Sequence, residues 1–326
     1  MLLNPNQVSE KIAAGQNLIL AGDESLLKSL PAGNWIGGTI PYFMAAEGGC
    51  KRSDLIFATE LPKCALGARI EVYQPGKLDH LYSDGATDEV SFIIIPGGSS
   101  THQRFALNAP GYPEFASHPL IGWISGVDLD HLGKVTPKVF AGNATALENA
   151  AAVLRLKLPA NKFAQINIIN LFQQGNGDTI TFPAGGFAVT GANINGETSN
   201  FSAYLKEKQV DTRLPLVADY AGAMINVSIK SATNEKGEVE FYAPVVPGIE
   251  YRIAAPVADY VSSFVAELDR VAPNNVAFSC NCILNYLYSG LEGKTTGGIT
   301  GPITFGEIAY QLLNQTLAYL TIEDLG

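Results

Sequence analysis

The stretch VSFIIIP, residues 90–96, carries Phe92-Ile93-Ile94-Ile95 with no polar interruption. A strand with one wetted face alternates apolar and polar residues. A strand apolar at every position is covered on both faces. The run therefore predicts a central strand with other layers packed over it. Short strand signals surround it. NLILAG (17–22) and NWIGGTI (34–40) flank a small helix, DESLLKSL (23–30). DLIFATEL (54–61), ARIEVYQ (68–74), LIGWISG (120–126) and KVFAG (138–142) continue the series. Strands dominate and helices are few, so the expected class is mixed α/β, of the α+β kind, with helices packed on β-rich sheets.

The second half carries a period-two pattern. Ala223, Ile225, Val227 and Ile229 alternate with Met224, Asn226, Ser228 and Lys230, and Val239, Phe241 and Ala243 alternate beyond the turn NEKG (234–237). Such patterning on both sides of a Gly-containing turn predicts a hairpin. Val257, Tyr260, Val261, Phe264, Val265 and Leu268 then form one stripe at helical spacing, APNN (272–275) closes the helix, and VAFSC (276–280) opens a strand. CILNYL (282–287) reads as either a short helix or a turn, and TFPAGGFAVTGANINGE (181–197) as turns between β elements.

With 326 residues, 47% of them hydrophobic and 16% charged, the chain has enough apolar side chains for a large core. Its length predicts about two domains. A net charge of -10 and the lack of any Lys/Arg run argue against nucleic acid. No apolar stretch approaches membrane-spanning length and no leader pattern opens the chain, so the reading is a cytoplasmic protein with no membrane partner. Four cysteines are too few for a disulfide framework. Cys280 and Cys282 form a C-x-C with no second ligand pair nearby, which favours buried or pocket-lining thiols over a metal site.

Several segments carry candidate chemistry. IIIPGGSSTHQRF (93–105) sets a Gly-Gly turn, hydroxyls, His102 and Arg104 directly after the central strand. Those donors suit a small anion or carboxylate, because Arg pairs carboxylates bidentately. The competing reading is a polar loop with Arg104 in solvent. LEGKTTGG (291–298) has Tyr288 where a phosphate loop needs its first Gly, which rejects nucleotide binding there. DLDHL (128–132) reads as a solvated loop rather than a metal site. Glu307 and Asn314 stand within a mostly apolar C-terminal segment, where Glu307 either lines a pocket or ties loops together as a structural carboxylate.

The run from the hairpin to the terminus, with PGIEYRIAAP (247–256), the amphipathic helix, VAFSC, GPITFGEI (301–308) and LNQTLAYLTI (313–322) as a final strand, resembles the C-terminal half of FIST domains. Gly306-Glu307 and Asn314-x-Thr316 are the positions that carry the resemblance. NWIGGTIPYF (34–43), DLIFATEL and VSFIIIPGG (90–98) follow the strand-and-glycine order of the N-terminal half, and GGTIPYF (37–43) echoes GGITGPITFGE (297–307). Two positions depart from the pattern, Ile283 and Leu313 standing where the family often has Arg and His. The resemblance implies two related halves, 1–160 and 161–326, and an intracellular small-molecule sensor. It has no output domain of its own, so a signalling partner acts in trans. The implied ligand is an amino acid or organic acid in a cleft between the halves. Thr39, Tyr42, Ser99, Ser100, Arg104, Cys280, Asn281, Glu307 and Asn314 are the candidate ligand-binding residues. Haem, a cofactor of some members, is disfavoured because no His lies in the matched C-terminal segment. The alternatives are a ligand-free structural homo-oligomer and a thiol- or serine-dependent enzyme using Cys280/Cys282 or Ser99/His102.

Overall fold

The computed structural model describes residues 1–220, 223–271 and 275–325. The chain adopts the expected mixed α/β class, with short helices set among several mixed sheets. It forms two units. The first comprises Met1–Ile169, Phe264–Leu312 and Leu317–Gly326, and the second Asn170–Ser263 with Leu313–Thr316. The division expected at 160/161 falls inside the first unit, between the strands Ala151–Lys157 and Lys162–Ile169. The C-terminal strand Leu317–Asp324 returns to pair antiparallel with Lys162–Ile169 along its whole length, from Lys162 opposite Asp324 to Ile169 opposite Leu317.

In the first unit the strand Glu89–Pro96 is buried at every position. It pairs in parallel with Leu120–Ser125 and antiparallel with Ala151–Lys157, so Ile94 lies between Trp123 and Ala152. Strands from two other sheets pack against this sheet. A Cβ on Gly38 would stand 2.7 Å from both Ile94 Cγ2 and Trp123 Cη2, so only a glycine allows this approach. The ring of Phe278 meets Phe92 edge-on at 5.7 Å. Each of these fully buried apolar side chains contributes about 1.5–3 kcal/mol.

Gly38 belongs to a five-stranded sheet ordered Leu2–Leu3, Ile56–Glu60, Leu18–Gly22, Trp35–Thr39, Val139–Ala141. Within it, Leu18–Gly22, the helix Glu24–Lys28 and Trp35–Thr39 make a β-α-β crossover, with the two strands parallel and Gly22 opposite Thr39. Leu18, Leu20, Leu27 and Trp35 fill its core. A third, six-stranded sheet runs Lys162–Ile169, Leu317–Asp324, Val276–Cys282, Gly301–Thr304, Tyr42–Ala45, Gly48–Lys51.

The second unit has a six-stranded and a three-stranded sheet around Phe182, Phe201, Phe241 and Tyr251. Phe182 meets Phe201 at 5.3 Å and Tyr251 at 5.6 Å. The period-two run at 223–230 does not form one hairpin arm. Ala223–Val227 pairs with Leu216–Tyr220 in the larger sheet, while Ile229–Ser231 pairs across the NEKG turn with Val239–Val245 in the smaller one. The chain changes sheet at Ser228, whose carbonyl accepts the Tyr242 N–H. Alternation reports burial on one side of a strand and is blind to which partner covers it.

The helix Tyr260–Val271 buries Tyr260, Phe264 and Leu268, the middle of the expected stripe. Residues 272–274 of its expected stop lie outside the described residues. CILNYL resolves as the helix Ile283–Tyr288. TFPAGGFAVTGANINGE holds the short strands Gly186–Val189 and Gly191–Ile194 between turns. The final strand begins at Leu317, later than LNQT implied.

Candidate functional site

Open α/β sheets place ligands beyond the carboxyl ends of their parallel strands. The first unit has a cleft of about 480 Å³ there, within the usual size range for small-molecule sites. Its floor is Gly22, Thr39, Ile40 and Gly126. Gly22 and Thr39 end the two parallel strands of the crossover, and Gly126 follows the strand Leu120–Ser125. Thr39 fastens these ends together: its Oγ1 donates to Gly126 O at 2.8 Å and accepts the Lys138 N–H at 2.9 Å, and its carbonyl accepts the Gly126 N–H at 2.8 Å.

Asp23 and Ser25 form one wall. Asp23 caps the short helix because a carboxylate just before the first turn accepts its orphan N–H groups. Its Oδ1 takes the Ser25 N–H at 2.8 Å and the Ser25 hydroxyl at 2.7 Å. Glu24 sits between Lys28, 2.5 Å away, and Lys138, 2.6 Å away. Desolvation would raise the Glu24 pKa, but hydrogen bonds from those two lysines hold it below the usual carboxylate range.

Asp128, His131, Val135 and Thr136 also line the cleft. Asp128 opens a single 3-10 turn, accepting the Asp130 N–H at 3.1 Å. It also accepts the Tyr42 hydroxyl at 3.2 Å and pairs with Lys51 at 2.8 Å. Lys51 reaches Asp130 as well, at 3.2 Å. Desolvation opposes ionisation of Asp128, yet Lys51, Asp130 N–H and Tyr42 keep its pKa low, while burial pushes the Tyr42 phenol up. Within DLDHL, Leu129–His131 form that 3-10 turn, and Asp128 and Asp130 are both matched to Lys51. Among the described residues no group of three or more His, Cys, Asp or Glu is placed to hold a metal ion.

Of the residues singled out in the sequence, the cleft brings together Thr39, on its floor, and Tyr42, behind its Asp128 wall. Ser99, Ser100 and Arg104 do not line it. Ser99 is the cap of the helix Ser100–Asn108, accepting the His102 N–H at 3.1 Å and donating to Pro96 O at 2.7 Å. The donors expected to greet an anion are already engaged. Gly98 N–H donates to His102 Nδ1, and Asn149 Oδ1 takes both the Ser100 hydroxyl and the Thr101 N–H. The Arg104 side chain is exposed, but it stands on this helix and not in the polar loop that the sequence suggested. The Ser99 hydroxyl donates to Pro96 O and His102 Nδ1 accepts the Gly98 N–H, so both of these atoms serve the backbone rather than each other.

Cys280, Asn281 and Glu307 are buried inside the first unit. Cys280 Sγ donates to Gly122 O at 3.3 Å, and burial, with Glu307 next, pushes its thiol far above the usual range. Such a thiol stays protonated and unreactive. Asn281 Oδ1 accepts from Asn285 at 2.9 Å, and Glu307 accepts the Thr304 hydroxyl at 3.3 Å. Asn314 belongs to the second unit, where its carbonyl accepts from Asn226 at 3.1 Å. Asp23, Ser25, Lys51 and Lys138 escaped sequence reasoning. The available signal was AGDES, an acidic cap at the carboxyl end of a strand that opens a crossover.

Comparison with known proteins corrects the resemblance to FIST domains. The family model that spans the chain is not a FIST domain, and no curated protein matches the chain. The positions behind that resemblance, Gly306-Glu307 and Asn314-x-Thr316, are short patterns, and of the hairpin only Ile229–Ser231 pairs across the NEKG turn, while Ala223–Val227 joins another sheet. A family model, described as "Family of unknown function (DUF6976)", matches residues 3–323. The chain belongs to the DUF6976 family.

Proposed function

We propose that this protein is a small-molecule receptor of the cytoplasm whose ligand occupies the cleft at the carboxyl ends of the crossover strands. The observation that carries the reading is the convergence of three separate segments, 22–25, 39–41 and 126–128, on one concave space of about 480 Å³. Apolar residues Ile40, Pro41, Val127 and Val135 share that lining with two glycines and a larger set of polar and charged residues, among them Asp23, Glu24, Lys28 and Asp128. A lining this polar suits a small polar ligand held by hydrogen bonds and charge, with the apolar residues covering part of it. Thr39 and Gly126 hold the floor rigid, which limits the ordering cost of binding. A receptor of this kind reports its bound state to a separate partner.

A thermal-shift screen with pools of amino acids, amines, polyols and organic acids tests this. At a hundred times its dissociation constant a ligand stabilises by about 2.7 kcal/mol, a shift of several degrees. The expected result is at least one stabilising pool whose effect disappears in Thr136→Trp, which fills the cleft from an exposed wall position. Flat melting curves across every pool would contradict the reading.

A further inference from the structure

We propose that the cleft selects a molecule bearing a protonated amine and seats that amine on the Asp23 carboxylate. This rests on the cleft being a ligand site. Every cation at the cleft wall is already matched by a carboxylate. Lys28 and Lys138 flank Glu24 at 2.5 and 2.6 Å, and Lys138 also faces Glu148 at 3.6 Å. Lys51 bridges Asp128 and Asp130 at 2.8 and 3.2 Å. Arg52, beside the lining Ser53, is held by Asp54 through two bonds of 2.7 Å. Lys134 is exposed and outside the lining.

An acid entering this space would compete with the carboxylates that these cations already hold. An amine would not. Asp23 Oδ1 is occupied by Ser25, but Oδ2 accepts no hydrogen bond among the described residues. It is the lining carboxylate without a cationic partner, and an ammonium group supplies the charge-assisted bond it lacks. His131, Ser53 and Thr136, also in the lining, offer hydrogen-bonding groups for the remainder of the ligand. The ligand expected from the sequence is an amino acid or an organic acid; this chemistry favours a compound with a protonated amine over a simple organic acid.

The test is calorimetric titration of the full-length protein with matched probes: 1,4-diaminobutane, ethanolamine, glycerol and succinate. Wild type is compared with Asp23→Asn, Thr136→Trp and the distant surface variant Asp88→Asn. Asparagine is as good a helix cap as aspartate, so Asp23→Asn removes charge while keeping the turn. The expected result is binding of the amines but not of succinate or glycerol. Asp23→Asn should weaken the amines about tenfold, the loss of one charge-assisted hydrogen bond. Asp88→Asn should leave them unchanged, and Thr136→Trp should abolish them. Succinate or glycerol binding that Thr136→Trp removes, with no amine binding, would overturn the amine assignment and leave the cleft as the ligand site. Amine binding indifferent to Asp23→Asn would also overturn the assignment. Binding indifferent to Thr136→Trp would overturn the cleft itself, and no binding of either amine would overturn the proposal.

Discussion

Thr39 and Gly126 are joined twice: the Thr39 hydroxyl donates to Gly126 O at 2.8 Å, and the Gly126 N–H donates to Thr39 O at 2.8 Å. Thr39 ends a strand of the crossover sheet, and Gly126 follows a strand of the sheet that contains Glu89–Pro96. One residue pair therefore fixes where two sheets end, and the cleft opens at that junction.

Thr39→Val keeps the shape and removes the hydroxyl. It strands Gly126 O and the Lys138 N–H of a buried site, so a loss of about 1–3 kcal/mol in urea unfolding is expected. Thr39→Ser should recover most of it. Equal stability of Thr39→Val and wild type would show that the junction does not depend on this hydroxyl.

Arg155 is fully buried, and all its donors are engaged. It bonds Glu71 at 2.6 Å, Ser91 at 2.8 Å, the Tyr73 hydroxyl at 2.8 Å, Leu81 O at 2.8 Å and His118 at 3.2 Å. Arg155→Met leaves Glu71 without its closest buried partner and should cost about 3–5 kcal/mol. Arg155→Met combined with Glu71→Gln should be less damaging than the sum of the two, because the second change removes the stranded charge.

His118 Nε2 receives both Ser91, at 3.0 Å, and Arg155, at 3.2 Å, so the ring is neutral with its proton on Nδ1 near Ser117. Burial first and then the Arg155 charge lower its pKa from 6.5 to about 4, with Arg69 lowering it and Glu89 raising it. The unfolded chain takes up this proton at higher pH than the folded one does. The contribution to stability is therefore complete above pH 6.5 and is lost as pH falls towards 4. Urea midpoints of wild type and His118→Gln between pH 7 and 4 check this. The difference between them should shrink on acidification, and a constant difference would argue against a neutral buried ring.

Much of the fold was legible in the sequence because burial leaves a direct trace. The unbroken Phe92–Ile95 run marked a strand buried at all positions, and the Tyr260, Phe264, Leu268 spacing marked a helix face. Pairing leaves a weaker trace. Nothing in the alternation at 223–230 tells that Ser228 is where the chain changes sheet. The candidate site was legible only at Thr39 and Tyr42. Ser99, Ser100 and His102 have the residue types of an anion site, but local caps satisfy them first. Asp23 and Asp128 lie 105 positions apart in sequence, and only the meeting of two sheets brings them to one space.

Gly38→Ala places a methyl group 2.7 Å from Ile94 and Trp123, both rigidly packed. A loss of about 1–3 kcal/mol is expected, as for other overpacked cores. The near-ultraviolet signal of Trp123 should change with it. An undisturbed spectrum and stability would mean that the two sheets separate freely at this contact.

The central claim is that the cleft beyond Gly22, Thr39 and Gly126 is the ligand site. Hydrogen–deuterium exchange on the full-length protein, with and without the strongest compound from the thermal-shift screen, tests it most directly. The account predicts slower exchange in peptides covering 22–25, 39–41 and 126–131 and little change in the second unit. Protection confined to the second unit, or to the helix Ser100–Asn108 with none at the cleft, would contradict it.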